Sequence, residues 1–147
     1  TPGGEKRFWP GAPVKAGAYV MDRPAAALTA VCEGLATGLA VFQSVRQARV
    51  VVAFDAGNLL PVVERMKLSG SVVICADNDH RTQERMGVNP GIEKATAAAE
   101  SIGCGVAYPT GIYGTDWADA LVQFGGDMPQ RRIERQILSR ARYVVPP

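Results

Sequence analysis

The sequence has no long hydrophobic run: its apolar stretches stop at about seven residues, too few for a helix that spans a bilayer. It has no Cys-x-x-Cys pair. Cys32, Cys75 and Cys104 stand far apart, each among small or apolar neighbours. That usage argues against a zinc site or a disulfide frame and describes reduced, buried thiols of a cytoplasmic protein. No Gly-x-x-x-x-Gly-Lys-Ser/Thr stretch is present, so there is no P-loop. There is neither an initiator Met nor a signal-like start, because Thr1-Pro2-Gly3-Gly4 runs directly into Glu5, Lys6 and Arg7. The chain is therefore expected to be a fragment of a larger protein. What is present is ordinary for one globular domain: 147 residues, 47% hydrophobic and 20% charged. A chain of that size buries roughly two thirds of its unfolded surface, and its composition is not that of a disordered segment.

A net charge of +2 conceals a segregation. Residues 1–24 carry four basic and two acidic side chains, and residues 128–147 carry five Arg against Glu134. The stretch between them holds eleven acids and seven bases. An acidic centre between basic ends suits a site that holds metal ions and touches a polyanion, although solvated surface charge has the same composition.

Three regions follow from the pattern. Residues 1–24 are rich in Gly and Pro, with short β-like pieces at Arg7-Phe8-Trp9 and Ala18-Tyr19-Val20-Met21 that suggest a hairpin or ribbon. From 25 to 127, the apolar runs Leu28–Cys32, Val50–Phe54, Val72–Ala76 and Cys104–Tyr108 alternate with helical patterns at Leu35–Val45, Leu59–Leu68 and Gly91–Ile102. Runs apolar on both faces and joined by single helices predict an α/β domain, a central, mainly parallel sheet of about four strands flanked by helices. Residues 128–147 predict a basic amphipathic helix over Asp127–Arg142, with Ile133, Ile137 and Leu138 inward, then a linker at Tyr143–Pro147.

The chemistry concentrates where strands end. Glu33, Asp55 and Asp77 each close one of the first three strands, at the edge where open parallel sheets bind ligands. Acids gathered there need a raised pKa or a bound cation. Asp77-Asn78-Asp79 is the sharpest signal: on extended backbone the two carboxylates share one side and can hold hydrated Mg²⁺. Glu33-Gly34 combines a strand-tip acid with a tight turn, although an acid facing a helix dipole reads the same way. Asp116 and Asp119 extend the constellation and equally fit an N-cap and a first-turn acid. His80 suits either a phosphate contact or a loop start. Arg81, Arg85 and Lys94 fit either a triphosphate clamp in and beyond the Asp79–Gly91 loop or solvated charge. Lys6, Arg7 and Trp9 form a basic-aromatic patch, and the five C-terminal Arg are a second candidate nucleic-acid contact.

Taken in order, Glu33-Gly34, Asp77-Asn78-Asp79 and Asp116/Asp119 resemble the Toprim domain of bacterial primases, topoisomerases and some nucleases. The chain is most similar to the primase-like proteins of plasmids, phages and integrated elements. Gly4-Glu5-Lys6-Arg7-Phe8, Glu33-Gly34-Leu35-Ala36-Thr37, Asp55-Ala56-Gly57-Asn58-Leu59, Asn89-Pro90-Gly91-Ile92-Glu93-Lys94-Ala95 and Thr115-Asp116-Trp117 carry that likeness up to about Gly125. The resemblance implies a Rossmann-like Toprim fold and metal-dependent nucleotidyl transfer: RNA primer synthesis on a DNA template from nucleoside triphosphates. It implies Mg²⁺ (or Mn²⁺) at Asp77 and Asp79, with Glu33, Asp116 and Asp119 in support, and Glu33 as general acid/base. Lys6, Arg7, Arg81 and Lys94 are the nucleotide and nucleic-acid candidates. The implied partners are DNA, nucleoside triphosphates and zinc-binding or helicase modules of a parent protein, with no membrane. One departure stands out: Leu35-Ala36-Thr37-Gly38 supplies none of the acid that often follows Glu-Gly. A Toprim nuclease, with water as the nucleophile, and a non-catalytic binding module are the alternatives.

Overall fold

In the computed structural model, residues 10–124 and 128–147 are described. β-Branched runs with no polar face form the interior strands, and every residue of Leu28–Cys32 is buried. The chain runs through β1 (Tyr19–Met21), β2 (Leu28–Cys32), α1 (Leu35–Ser44), β3 (Ala48–Val52), a 3-10 turn at Ala56–Asn58 and α2 (Leu59–Met66). It continues through β4 (Gly70–Cys75), α3 (His80–Met86), α4 (Pro90–Ile102), β5 (Gly105–Ala107), α5 (Trp117–Gln123), α6 (Pro129–Leu138) and β6 (Arg142–Val144).

The sheet order is β1-β3-β2-β4-β5, with β6 also on β4. Strands β3, β2, β4 and β5 are parallel, and β1 and β6 join antiparallel. This is the expected α/β architecture of a mainly parallel sheet between helical layers, with a strand from the N-terminal region added. Residues alternate between the two faces, as the pleat requires. Cys32, Val50, Val52, Val73 and Cys75 pack under α1, α5 and α6, where Val41, Trp117, Ile133 and Ile137 are buried. Val31, Val51 and Ile74 pack under α2 and α4, against Leu59, Val62 and Ala98. Among the described residues no helix is long and apolar enough to cross a membrane.

Three local readings are corrected. The segment Tyr143–Pro147, read as a linker, contributes residues of β6, because Tyr143 and Val144 find open edge positions opposite Ser71 and Gly70. The segment 79–91, read as a loop, contains the two-turn α3, which the Asp79 carboxylate caps through the Thr82 N–H at 3.3 Å. The strand read as Val50–Phe54 ends at Val52, and Phe54, at φ 68°, turns the chain into the Asp55 cap. Arg7-Phe8-Trp9, the other half of the expected hairpin, lies outside the described residues.

β5 and β6 share one edge of β4, β5 on its C-terminal half and β6 on its N-terminal half. Between them the Arg140 carbonyl sits against Gly105, where any Cβ would overlap it. Backbone, unlike a flexible side-chain tip, has no rotamer to retreat into. Gly105→Ala is therefore expected to cost about 3 kcal/mol or more, read as a lower urea midpoint. An unchanged midpoint would show that β6 and the end of α6 reposition freely.

Candidate active site

The sheet reverses its winding at β2: the chain moves from β2 outward to β3, then back across to β4 on the other side. This switch point is where open α/β sheets bind ligands. The pairing Cys32↔Cys75 sets the two strand ends level. Glu33 follows its paired position by one residue and Asp77 by two, so both emerge at the crevice between β2 and β4.

Asp77 is half-buried, and its carboxyl is pushed up to about 7. Burial is the largest cause, followed by the negative charge of Glu33; Asp116 and Asp119 add to it. One contact works the other way. Thr37, buried on the first turn of α1, donates its hydroxyl to Asp77 Oδ1 at 3.0 Å. Among the described residues, no cation counts among the groups that act on Asp77. Four carboxylates on three separate chain segments thus meet at one edge of the sheet.

The second acidic pair arrives by helix-start chemistry. Asp116 caps α5 by accepting from the Asp119 N–H at 2.7 Å, and Asp119 Oδ2 accepts from the Thr115 N–H at 2.8 Å. The capping role and the acidic role coexist, because each carboxylate retains a second oxygen.

Asp79 is placed differently. Its carboxylate caps α3, it is not among the charges that raise Asp77, and β4 ends before it, at Cys75. The i, i+2 strand geometry expected of Asp77-Asn78-Asp79 does not continue past β4. A polar brace holds the segment instead. Asn78 N–H donates to the Thr115 carbonyl (2.6 Å) and Asn78 Nδ2 to the Pro109 carbonyl (3.0 Å). Asn89, buried, accepts from the Asp79 N–H (3.2 Å) and the Ile92 N–H (3.3 Å), and donates to Asn78 Oδ1 (3.1 Å). A Cβ at Gly91 would stand 2.8 Å from the Asp77 carbonyl, so glycine lets α4 abut the strand end.

Asn89 and Thr37 are the residues that sequence reasoning missed. Asn-Pro-Gly before a helix does carry a signal, an N-cap followed by Pro at the first helical position, but only for the helix start. Thr37 stood in the Glu33–Thr37 stretch that carries the family likeness and at a position noted for lacking an acid, with no role given to its hydroxyl.

The remaining candidates are dispersed. Asp55 is exposed and caps its own turn through the Gly57 N–H at 2.7 Å. Lys94, exposed on α4, brings Nζ within 3.8 Å of where a Gly57 Cβ would lie, over the end of β3. Arg81 is exposed on α3, and His80 opens that helix with Nδ1 3.2 Å from the Asn78 carbonyl oxygen. Lys6 and Arg7 lie outside the described residues. Cys32, Cys75 and Cys104 are all free.

The Toprim domain profile matches residues 28–127. This chain belongs to the Toprim family. Two curated relatives, both DNA primase TraC of Escherichia coli, are 41% and 39% identical to it over 93 residues, covering 60% of this chain. The matched stretch is 9% and 6% of those proteins, so the Toprim chain spans a small part of the length of the relatives it resembles. No solved structure matches significantly. α6 and β6 lie beyond the matched Toprim residues.

Among the described residues no three His, Cys, Asp or Glu side chains converge on one point as a ready-made metal cage would. The donor set nevertheless fits a hard divalent cation in kind. Its ligands are carboxylate oxygens, and their mutual repulsion, registered at Asp77, is what a cation relieves.

Proposed function

We propose that this Toprim domain is the nucleotidyl-transfer centre of a DNA primase-like cytoplasmic protein, acting on nucleoside triphosphates along a DNA template in plasmid or mobile-element replication. One observation carries the reading: Glu33 and Asp77 emerge together at the sheet's switch point, and the charges of Asp116, at the α5 cap, and Asp119, in its first turn, also act on Asp77. The likeness to a DNA primase supports the choice of reaction.

In this reading Asp77, Asp116 and Asp119 hold Mg²⁺ or Mn²⁺, and Asp79 joins when its carboxylate leaves the α3 cap. The bound ion supplies charge compensation for the triphosphate and the departing pyrophosphate. Glu33 accepts the proton of the primer 3′-hydroxyl as its oxygen bonds to the α-phosphorus and the bond to the β-phosphate oxygen breaks. Thr37 fixes the rotamer of Asp77, and the Asn78–Asn89 brace fixes the backbone that carries it. Lys94 and Arg81, on the α3–α4 side, reach toward the phosphates; Lys6 and Arg7 are further contacts to the strand. Template-reading zinc modules or helicase modules are the expected neighbours of such a centre.

A Mg²⁺ titration followed by amide NMR shifts tests the site. Saturable shifts are expected at Glu33, Asp77 and Asp116–Asp119, and are lost in Asp77→Asn/Asp119→Asn. No response at tens of millimolar Mg²⁺ or Mn²⁺ would sink the catalytic reading and leave a binding module. Metal-dependent nicking of DNA without nucleoside triphosphates would redirect it to a nuclease.

A further inference from the structure

We infer that the outer face of α6 is a docking track for the phosphodiester backbone of single-stranded nucleic acid, leading to the acidic centre. The inference rests on the nucleotidyl-transfer reading for its direction, but on its own observations for its chemistry.

α6 is anchored by Ile133 and Ile137, both fully buried, so its arginines are committed outward. Arg131, Arg132 and Arg135 on α6, and Arg140 and Arg142 just beyond it, are all exposed. Three clefts run along this face and share walls. The first, about 540 Å³, lies between the end of α1 and the start of α6 and includes Ser44, Arg46 and Arg131. The second, about 560 Å³, shares Arg131 and Glu134 with it and adds Arg135 and Ser139. The third, about 110 Å³, shares Ser139 and adds Arg140, Tyr108 and Thr110.

The track therefore begins below the sheet, where α1 hands over to β3, and ends at the loop after β5. Gln136 grips that loop, accepting from the Thr110 N–H (3.2 Å) and donating to its carbonyl (3.4 Å). The same loop leads to Asp116. A strand lying on α6 is thus delivered to the edge where the four acids stand.

Three features favour a phosphate backbone as the occupant. Four Arg face one acid, Glu134, along the shared clefts. The first cleft opens at the α6 N-terminus, whose cap residue, Met128, gives no side-chain hydrogen bond, and beside the Ser44 hydroxyl, buried without a partner. Helix N–H groups and a hydroxyl donor suit a phosphate oxygen. Leu138 and Tyr108 are the large apolar or aromatic side chains that line these clefts, and they stand in separate clefts, so the face carries no contiguous apolar patch of the kind that marks a protein interface.

Fluorescence anisotropy with a labelled oligothymidylate, across a salt series, tests the track. Arg131→Gln/Arg135→Gln is expected to weaken binding about tenfold at low salt. It should also flatten the slope of log affinity against log salt by about 1.4, or 0.7 for each phosphate contact removed. Glu33→Gln/Asp77→Asn is expected to bind at least as tightly as the unaltered chain. Failure of the metal site thereby stays separate from failure of the track. An unchanged slope in the arginine variant, or no binding by the unaltered chain at low salt, overturns the inference. Equal competition by polyglutamate overturns it too, and assigns the face to an acidic protein.

Discussion

At pH 8 and without divalent cations, Asp77→Asn is expected to melt several degrees above the unaltered chain. The reason is the direction of the Asp77 shift. Its carboxyl lies at about 7 in the native protein, against 3.8 for an unhindered one, so the native state holds a proton that the unfolded chain releases. Stability rises with pH only where the unfolded state binds more protons, and here it binds fewer. This group therefore lowers stability progressively from about pH 4 to pH 7, after which the full cost stays in place. At about 1.4 kcal/mol per pH unit, the displacement corresponds to roughly 4 kcal/mol at the outside. Half of that raises the melting temperature of a domain this size by about 6 °C. Asparagine keeps the oxygen that accepts from Thr37 and removes the charge. In the unaltered chain, millimolar Mg²⁺ at pH 8 should restore the same margin, whereas the variant should gain little. Two thermal melts at each of pH 4.5 and 8, with and without Mg²⁺, decide it. Equal melting temperatures at pH 8 would mean that burial and the neighbouring acids do not disfavour the Asp77 charge as this geometry requires. The destabilising charge is then what a functional site retains at the expense of stability.

Much of this arrangement was legible in the residues. Four β-branched or small apolar runs announced the parallel strands, and their spacing announced the helices between them. Strand-end acids announced the ligand edge, because the topology of parallel sheets puts ligands there whatever the side chains. What was hidden were effects of tertiary contact. Tyr143 and Val144 precede two prolines and look like a linker, yet the unfilled edge of β4 recruits them. Phe54 has the composition of a strand residue, and only the structure shows it in a left-handed conformation.

The site followed the same division. That acids gather was readable from types and spacing. Which ones gather was not. Asp55, Asp77 and Asp79 look alike in the sequence. Asp55 and Asp79 have local amide donors two or three residues ahead, whereas the hydroxyl on Asp77 comes from forty residues away, on α1. Thr37 carries no charge and sits in an apolar stretch, so its role depends wholly on the β2–β4 pairing. Asn89 likewise announces a helix start, and its second use, bracing Asn78 and Asp79, depends on where α4 packs.

The largest expected effect on activity belongs to Glu33. In the nucleotidyl-transfer role proposed above, Glu33→Gln in the full-length protein should lower metal-dependent primer extension by about 10²- to 10⁴-fold, the range for removing a general acid or base. Its amide keeps the shape and loses the proton transfer. Metal binding, measured by the amide shifts, should weaken far less, and that separates a proton-transfer role from a ligand role. Asp79→Asn then tests the residue whose position differs most from its sequence reading. Asparagine caps a helix about as well as aspartate, so α3 should persist. A loss of 10²-fold or more with the fold intact would mean that Asp79 leaves the cap to join the metal in the loaded state. Unchanged extension would confine the working acids to Glu33, Asp77, Asp116 and Asp119. Thr37→Val completes the series. It removes the donor that holds Asp77 while keeping the volume, and about a tenfold loss is expected, restored by Thr37→Ser. Recovery in the serine variant ties the defect to the hydroxyl, because a packing fault at this buried position would persist when the methyl group is missing.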